Sequence, residues 1–312
     1  MKIAFVFPGQ GSQTVGMTAG LADSAAAQKV LGRADDALGE PLTKLMAEGP
    51  AENLNLTVNT QPAILAASCA VYEAWRAAGG VKPALAAGHS LGEYSALTAA
   101  GVFTLEEAVR LVRFRANAMQ EAVPVGVGAM AAVIGLTDET VEAACASVRA
   151  DEVVEPVNFN SPGQVVIAGH KAAVERACEA CKAVGAKRAL MLAVSGPFHS
   201  QLLKGAAEKL AGRLAEISVN TPQFDVIANV DAEFEADADV IRRNLALQAA
   251  SPVQWVKTVR KMKAEGVTHV VECGPGRVLT GLIRRIDPTL ETANISSAAS
   301  IAELVAKDGF HV

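Results

Sequence analysis

The chain has 312 residues, 51% of them apolar and 20% charged, so it can bury a sizeable core and has no compositional sign of disorder. Its 28 Lys and Arg against 33 Asp and Glu give a net charge of −5, the wrong sign for a protein whose main partner is a nucleic acid. Because the apolar run at the amino terminus is too short for a signal peptide and no other segment could span a bilayer, we expect a cytoplasmic protein with no membrane partner.

Outside a middle segment, strand and helix patterns alternate along the chain. Apolar runs predict strands at 3–7 and 84–88, and near 225–229, 267–272 and 292–295. Helical patterns occur near 61–78, at 91–100 and 105–122, and between the later strands. This alternation predicts an α/β fold with a doubly wound, mostly parallel sheet.

The middle segment has a different pattern, bounded by turn-forming residues at Pro124–Gly128 and Ser195–Pro197. Between them the sequence predicts a strand at 129–135, a helix at 137–149, strands at 153–159 and 164–169, a helix at 171–184 and a strand at 187–194. This βαββαβ order is the ferredoxin-like one. We therefore assign 1–123 and 196–312 to the parallel core and 124–195 to an inserted ferredoxin-like subdomain.

The five cysteines, an odd number in a long chain, fit a reducing compartment. Cys178 and Cys181 form a C-x-x-C, but they lie in a helical stretch with no second pair and no nearby histidine. We therefore interpret them as structural and expect no metal site.

A serine between two glycines follows the second predicted strand. Gly88 to Gly92 match G-x-S-x-G, with a buried strand before them and a helix from Leu91, which is the setting of a nucleophile elbow. The sequence therefore predicts that Ser90 is a nucleophile and that the N–H of Leu91 is an oxyanion donor. The loop Pro8–Gly11, after the first strand, is the candidate for the second donor. A tight turn without chemistry remains the alternative reading of the elbow.

A serine nucleophile needs a base, and His199 is the candidate. It lies in AVSGPFHSQLL, a loop that leaves the insert and opens a helix, where this class of fold brings residues to the carboxyl ends of the strands. The other histidines are less suitable: His311 in the tail, His269 in a strand pattern, His170 after an insert strand, and His89 inside the turn, expected to point away from Ser90.

Arg115 lies on the apolar face of a predicted helix that begins with a capping box at Thr104 and Glu107. At about 100° per residue, the residues within roughly 60° of Arg115 are Ala108, Leu111, Val112, Ala118, Met119 and Ala122. A permanently charged guanidinium that points inward needs an anion. The anion is either a carboxylate of the protein or the substrate, and the pattern leaves both open.

A series of motifs carries a family resemblance over nearly the whole chain. They are FPGQGSQ at 7–13, GHSLGEY at 88–94, VRFRANAMQ at 112–120, GAMAAVIG at 128–135, NSPGQVVIAG at 160–169, GPFHS at 196–200 and SPVQW at 251–255. The chain resembles the malonyl-CoA:acyl carrier protein transacylases of fatty-acid synthesis. This resemblance implies an α/β-hydrolase-like core with a small ferredoxin-like subdomain, in agreement with the pattern above.

The resemblance also implies residue roles at the matching positions. Ser90 would be the nucleophile, His199 the base and Arg115 the clamp for malonate. The backbone amides of Gln10 and Leu91 would form the oxyanion hole.

Two further positions receive roles through the resemblance. Gln248 would orient His199 through its main-chain carbonyl, and Asn160 would support the site from the insert. The family often has glycine where this chain has Ala116, a change that favours a helix and leaves Arg115 in place.

The implied reaction moves a malonyl group from malonyl-CoA to the phosphopantetheine thiol of acyl carrier protein, through a malonyl-serine and with no cofactor. Two alternatives from other classes remain. A serine esterase or thioesterase shares the elbow but expects an acidic partner for the histidine and an HGGG-type loop, neither of which is identifiable. A non-catalytic carrier-binding module would keep the fold without needing the serine, histidine and arginine together.

Specificity and docking have their own candidates. Phe198, beside the predicted base, is either a barrier to α-branched acyl groups or a core residue. Because the carrier proteins of this pathway are typically acidic, docking needs a local basic patch. The candidates are Arg113, on the expected solvent face of the Arg115 helix, and Arg284 and Arg285.

Overall fold

A computed structural model of the chain describes residues 1–235 and 237–312. The strands are β1 (Ile3–Phe7), β2 (Leu85–Gly88), β3 (Gly128–Ile134), β4 (Val154–Ser161), β5 (Gln164–His170), β6 (Arg188–Met191), β7 (Asp225–Ile227), β8 (His269–Cys273) and β9 (Glu291–Ile295). The helices are α1 (Ala25–Leu38), α2 (Leu42–Glu48), α3 (Ala51–Leu54), α4 (Thr57–Ala77), α5 (Leu91–Ala99), α6 (Leu105–Ala122), α7 (Asp138–Val148), α8 (Lys171–Ala183), α9 (Lys204–Ala215), α10 (Ala238–Gln248), α11 (Trp255–Ala264), α12 (Val278–Ile286) and α13 (Ala298–Val305).

The first sheet is parallel, with the strand order β7-β2-β1-β8-β9. Every residue of β1 and β2 is buried, because helices cover both faces of the sheet and leave no solvent side for a polar alternation. Two apolar clusters lie on opposite faces of this sheet, one around Phe5 and Trp75 and one around Val6 and Trp255. The predicted mostly parallel sheet is confirmed.

The second sheet is antiparallel, with the order β4-β5-β3-β6. Helices α7 and α8 pack on one of its faces in a cluster that includes Cys145, Cys178 and Cys181. The predicted strand–helix–strand–strand–helix–strand order is confirmed. Its strands all lie within the predicted insert, whose limits at 124 and 195 stay a prediction.

Two predicted elements differ from the structure by three residues or more at one end. Helix α4 begins at Thr57, before the predicted position 61, although Pro62 then lies inside it. The lost hydrogen bond is outweighed by packing, since most of the helix is buried in the core. Strand β6 ends at Met191, whereas a strand to 194 was predicted, because the chain turns there toward a cavity that Leu192 and Val194 line. No helix in the described part of the chain is long and apolar enough to cross a membrane.

The turn between β2 and α5 packs directly against the end of β1. An ideal Cβ on Gly92 would lie 2.0 Å from the main-chain oxygen of Phe7, and one on Gly88 would lie 1.8 Å from the main-chain carbon of Gly92. Side chains at these positions would push the first turn of α5 away from the sheet. The two glycines of the G-x-S-x-G pattern are therefore required by close backbone approach.

We expect Gly92→Ala to cost at least about 2 kcal/mol of unfolding free energy, because backbone atoms must move to admit the methyl group. The matched control is Gly212→Ala in α9, where an added Cβ meets nothing within 4 Å. That change should stabilise the protein by about 0.5–1 kcal/mol through helix propensity. Denaturant unfolding of both variants measures the difference, and equal stabilities would contradict the packing argument.

Candidate active site

Ser90 is held in a strained backbone conformation at the end of β2. Its φ is 54°, a value that non-glycine residues rarely adopt. The Ser90 N–H donates to Oδ1 of Asn229 at 2.7 Å, and Nδ2 of Asn229 donates to the Gly88 carbonyl at 2.6 Å. The side chain of Asn229 thus bridges both sides of the elbow and stabilises the strained turn.

His199 is also strained, with a φ of 66°. Its Nε2 lies 2.7 Å from Ser90 Oγ, and its Nδ1 lies 2.8 Å from the main-chain oxygen of Gln248. A carbonyl only accepts, so Nδ1 carries the proton and the lone pair of Nε2 faces the serine hydroxyl. Burial and the positive charge of Arg115 lower the pKa of His199 to about 3. The imidazole is therefore neutral near pH 7 and able to accept a proton.

The loop that carries His199 is tied to the second sheet. The carboxylate of Glu155, on β4, accepts hydrogen bonds from the main-chain N–H of Gln201 at 2.7 Å and from its side chain at 3.1 Å. On the other side of the site, main-chain hydrogen bonds join β4 to Val253. The antiparallel sheet thus braces the segment around the histidine and the segment just after Gln248.

Arg115 is buried with its guanidinium beside Ser90. Nη1 donates to Oε1 of Gln61 at 2.7 Å, while Nη2 donates to Oε1 of Gln248 at 2.7 Å and to Ser90 Oγ at 3.2 Å. Its guanidinium carbon lies 5.2 Å from the ring centre of Tyr94. Among the described residues no carboxylate lies within ion-pair distance of this cation. The alternative in which Arg115 forms a direct ion pair with a carboxylate of the protein is therefore wrong for the described part of the chain.

A cavity of about 140 Å³ opens onto these groups. It is lined by Gln10, Gln61, His89, Ser90, Leu91, Arg115, Met119, Met130, Asn158, Leu192, Val194, Phe198 and His199. Most of the predicted site residues thus meet in one place, with Gln248 directly behind Arg115.

His89 and Asn160 form a pair at the edge of the site. His89 lines the same cavity as Ser90, but its Nε2 bonds Oδ1 of Asn160 at 2.7 Å and not the serine. Asn160 therefore reaches the site through His89. Burial lowers the pKa of His89, so this second imidazole is also neutral near pH 7.

The predicted oxyanion donors flank Ser90. Leu91 is the first residue of α5, where main-chain N–H groups have no acceptor within the helix. Gln10 lies on the loop after β1, and its side chain accepts a hydrogen bond from Thr57 Oγ1 at 2.9 Å. The loop approaches the elbow closely at Gly9, where an added Cβ would lie 2.4 Å from the His89 carbonyl oxygen.

Three residues with a part in this geometry were not predicted: Gln61, Glu93 and Asn229. Asn229 comes just after β7, at the carboxyl edge of the parallel sheet, and that position is a signal that could have identified it. Glu93 looks in sequence like an acidic residue placed to suit the positive end of a helix. In the structure its side chain is fully buried behind Arg115, and burial raises its pKa to about 7.

The candidate docking arginines differ from one another. The side chain of Arg113 is only 19% exposed and pairs with Glu40 at 2.8 Å, so its predicted position on the solvent face is wrong. The end of α1 packs over that face of α6, and the loop after α1 supplies the glutamate. Arg284 and Arg285, at the end of α12, are exposed, and Arg285 donates to the side chain of Gln164 at 2.9 Å.

Comparisons with known proteins agree with this geometry. Residues 4–309 match the family of the acyl transferase domain. The chain is 55% identical over 302 residues to the malonyl CoA-acyl carrier protein transacylase of Escherichia coli K12, covering 96% of this chain and 98% of that protein.

Two solved structures show the same fold. The acyl-carrier-protein S-malonyltransferase of Burkholderia pseudomallei superposes with a TM-score of 0.96 at 56% identity, over 97% of this chain and 99% of the other. A malonyl-transacylase solved in complex with a holo acyl-carrier protein of a type II PKS gives 0.95 at 53% identity, over 96% and 98%. The chain is an acyltransferase that belongs to the malonyl CoA-acyl carrier protein transacylase family.

Proposed function

We propose that this chain transfers a malonyl group from malonyl-CoA to the phosphopantetheine thiol of an acyl carrier protein, through an ester on Ser90, and so supplies fatty-acid synthesis. The observation that carries the proposal is the buried guanidinium of Arg115, which lacks a contacting carboxylate in the described structure and lies 3.2 Å from Ser90 Oγ. A malonyl thioester places its carboxylate one methylene from the reacting carbonyl. That short spacing suits a cation so close to the nucleophile, in a cavity of about 140 Å³.

In the first half-reaction His199 Nε2 takes the proton of the Ser90 hydroxyl. Ser90 Oγ bonds to the thioester carbonyl carbon, and the oxyanion that forms accepts hydrogen bonds from the main-chain N–H groups of Gln10 and Leu91. The C–S bond then breaks, and the CoA sulfur leaves with the proton that His199 returns. The carboxylate of the acyl group stays on Arg115 throughout.

The second half-reaction is the same path in reverse. His199 takes the proton of the carrier thiol, the sulfur attacks the ester carbon, and Ser90 Oγ leaves and recovers a proton from His199. Every atom that moves comes from the two substrates or the dyad, so the proposed reaction needs neither a metal nor a cofactor.

The esterase alternative is not favoured. His199 is oriented by a main-chain carbonyl, at 2.8 Å from Gln248, where hydrolases of this fold class use a carboxylate. A carbonyl fixes the tautomer and the ring orientation but stabilises an imidazolium less than a full negative charge does. The arrangement suits a thiol nucleophile, which loses its proton more readily than water.

Phe198 and Asn160 complete the proposal. The Phe198 ring lines the cavity next to the base, where it leaves little room for a methyl group on the carbon next to the thioester. We therefore propose it as a barrier to α-branched acyl groups. Asn160 holds His89 in the wall of the cavity.

All five cysteines are free and buried, which fits the cytoplasm as the proposed location.

Incubation with malonyl-CoA should leave a malonyl adduct on Ser90, because His199 and the elbow together activate its hydroxyl. Intact-protein mass spectrometry detects the adduct, and Ser90→Ala is the matched control. An unmodified wild-type protein, or an equal adduct on Ser90→Ala, would contradict the assignment.

Replacing Arg115 should separate two substrates that differ in one carboxylate. Arg115→Ala should lower the ratio of kcat/KM for malonyl-CoA to kcat/KM for acetyl-CoA by roughly 30- to several-thousand-fold. This corresponds to a loss of about 2–5 kcal/mol of transition-state binding, because acetyl-CoA lacks the group that the guanidinium binds. Arg115→Lys should recover part of this loss, since it keeps the charge but not the two-pronged geometry. A malonyl-to-acetyl ratio that stays at the wild-type value would refute the clamp.

Charge reversal at Arg284 and Arg285 should raise KM for the carrier protein and leave KM for malonyl-CoA unchanged, with a larger effect at low salt. Arg76→Glu is the control, because Arg76 is exposed at the end of α4 that lies away from the cavity. A rise of similar size in Arg76→Glu would mean that docking follows net charge and not this patch.

A further inference from the structure

Glu93 is a buried carboxyl group in the first turn of α5, three residues after the nucleophile. Its Oε2 accepts hydrogen bonds from the main-chain N–H of Asn229 at 2.8 Å and from Nε2 of Gln248 at 3.0 Å. Its other oxygen, Oε1, has no hydrogen-bond partner in the described part of the chain. A buried carboxyl with one unused oxygen is costly, so a role besides stability must be considered.

The carboxamide of Gln248 stands between Glu93 and Arg115. Its Nε2 donates to Glu93 and, at 2.9 Å, to the main-chain oxygen of Ser90, while its Oε1 accepts from Arg115 at 2.7 Å. A guanidinium can only donate and a carboxylate can only accept. The Gln248 amide can therefore bridge the two groups in only one orientation, with its nitrogen toward Glu93 and its oxygen toward Arg115. The hydrogen bond to Glu93 favours that orientation.

This arrangement answers a problem that a direct ion pair would create. A buried cation without any counter-charge is costly, but a carboxylate in contact with Arg115 would occupy the groups that must bind the substrate. Glu93 supplies a negative charge one amide away. The guanidinium is held in place, partly counterbalanced, and still open toward Ser90.

We propose that Glu93 is a positioning residue whose carboxylate, acting through Gln248, counterbalances Arg115 and so sets how tightly the site holds the carboxylate of the acyl substrate. The proposal rests on the proposed function, because it concerns the anion that Arg115 binds. It makes Glu93 part of substrate selection, although Glu93 does not line the cavity.

The charge state of Glu93 changes near neutral pH. Burial raises its pKa from 4.5 to about 7, while the hydrogen bonds from Gln248 and Asn229 and the charge of Arg115 on α6 act in the opposite direction. Asp231, after β7, adds to the rise, and the facing group on α10 is the neutral Gln248. The free energy of unfolding therefore falls as pH rises from 4.5 to about 7, since the folded state binds this proton more tightly than the unfolded chain does.

The same titration should appear in substrate selection. Below about pH 7 Glu93 is protonated, Arg115 loses its counter-charge, and a substrate carboxylate is held more tightly. The ratio of kcat/KM for malonyl-CoA to kcat/KM for acetyl-CoA isolates this effect. Both substrates use Ser90 and His199, so changes in the dyad cancel in the ratio.

Glu93→Gln tests the proposal in the full-length enzyme. An amide oxygen can accept both hydrogen bonds that Oε2 accepts, so the change removes the charge and keeps the contacts. In the wild-type enzyme the ratio should fall by roughly 3- to 30-fold as pH rises from about 6 to about 8.5. In Glu93→Gln it should stay at the wild-type low-pH value over the whole range.

Glu235→Gln is the matched control. Glu235 is also buried, and burial together with the charge of Glu93 raises its pKa well above the ordinary value, but its carboxyl makes no hydrogen bond to Gln248 or Arg115 in the described part of the chain. This variant should keep the wild-type profile.

A wild-type ratio that does not change across pH 7, or a Glu93→Gln profile that follows the wild type, would overturn the proposal. The first measurement needs no variant, so poor folding of Glu93→Gln would not prevent the test. Failure of the proposed function looks different, because the wild-type enzyme would then form no malonyl adduct on Ser90 at any pH.

Discussion

The buried charge of Arg115, which no carboxylate of the described chain contacts directly, is the constraint on which the rest of the site depends. Burying a guanidinium costs free energy. The side-chain oxygens of Gln61 and Gln248 and the ring of Tyr94 contact the cation directly. The carboxyl group of Glu93 lies behind Gln248 and is hydrogen-bonded to its amide. Each of these groups stabilises the cation without capping the edge that faces Ser90. In the proposed function, the selectivity of the site for an acyl carboxylate follows from this incomplete neutralisation.

Gln248 contacts Arg115, His199 and Ser90 at the same time. Its main-chain oxygen fixes the tautomer of His199, its side-chain oxygen holds Arg115, and its side-chain nitrogen bonds the carbonyl of Ser90. One residue at the end of α10 therefore sets the relative positions of His199, Arg115 and Ser90. The strained φ angles of Ser90 and His199 persist because such contacts over-determine both turns.

The parts of this site that the sequence predicts are those with a local signal. The elbow has its glycine spacing, and Arg115 has a helical face on which it is out of place. Gln61, Glu93 and Asn229 act through partners 54, 155 and 139 residues away, and no short pattern records such contacts. The solvent-facing position predicted for Arg113 is wrong for a related reason. Helical periodicity gives the direction of a side chain, but it does not say which other element packs against that face. Likewise, Pro62 suggests a later helix start than the buried α4 adopts.

The hydrogen bonds of Glu155 to Gln201 give the antiparallel sheet a consequence beyond shape. The strand β4 holds the loop of the base on one side and pairs with Val253 on the other, close to the carbonyl that orients the imidazole. In the proposed mechanism, the insert thus helps to align the base. Exchanging the insert between related acyltransferases would replace β4, which contacts the segments on both sides of His199. Chimeras joined at its boundaries would therefore change the position of the base together with any change of partner surface.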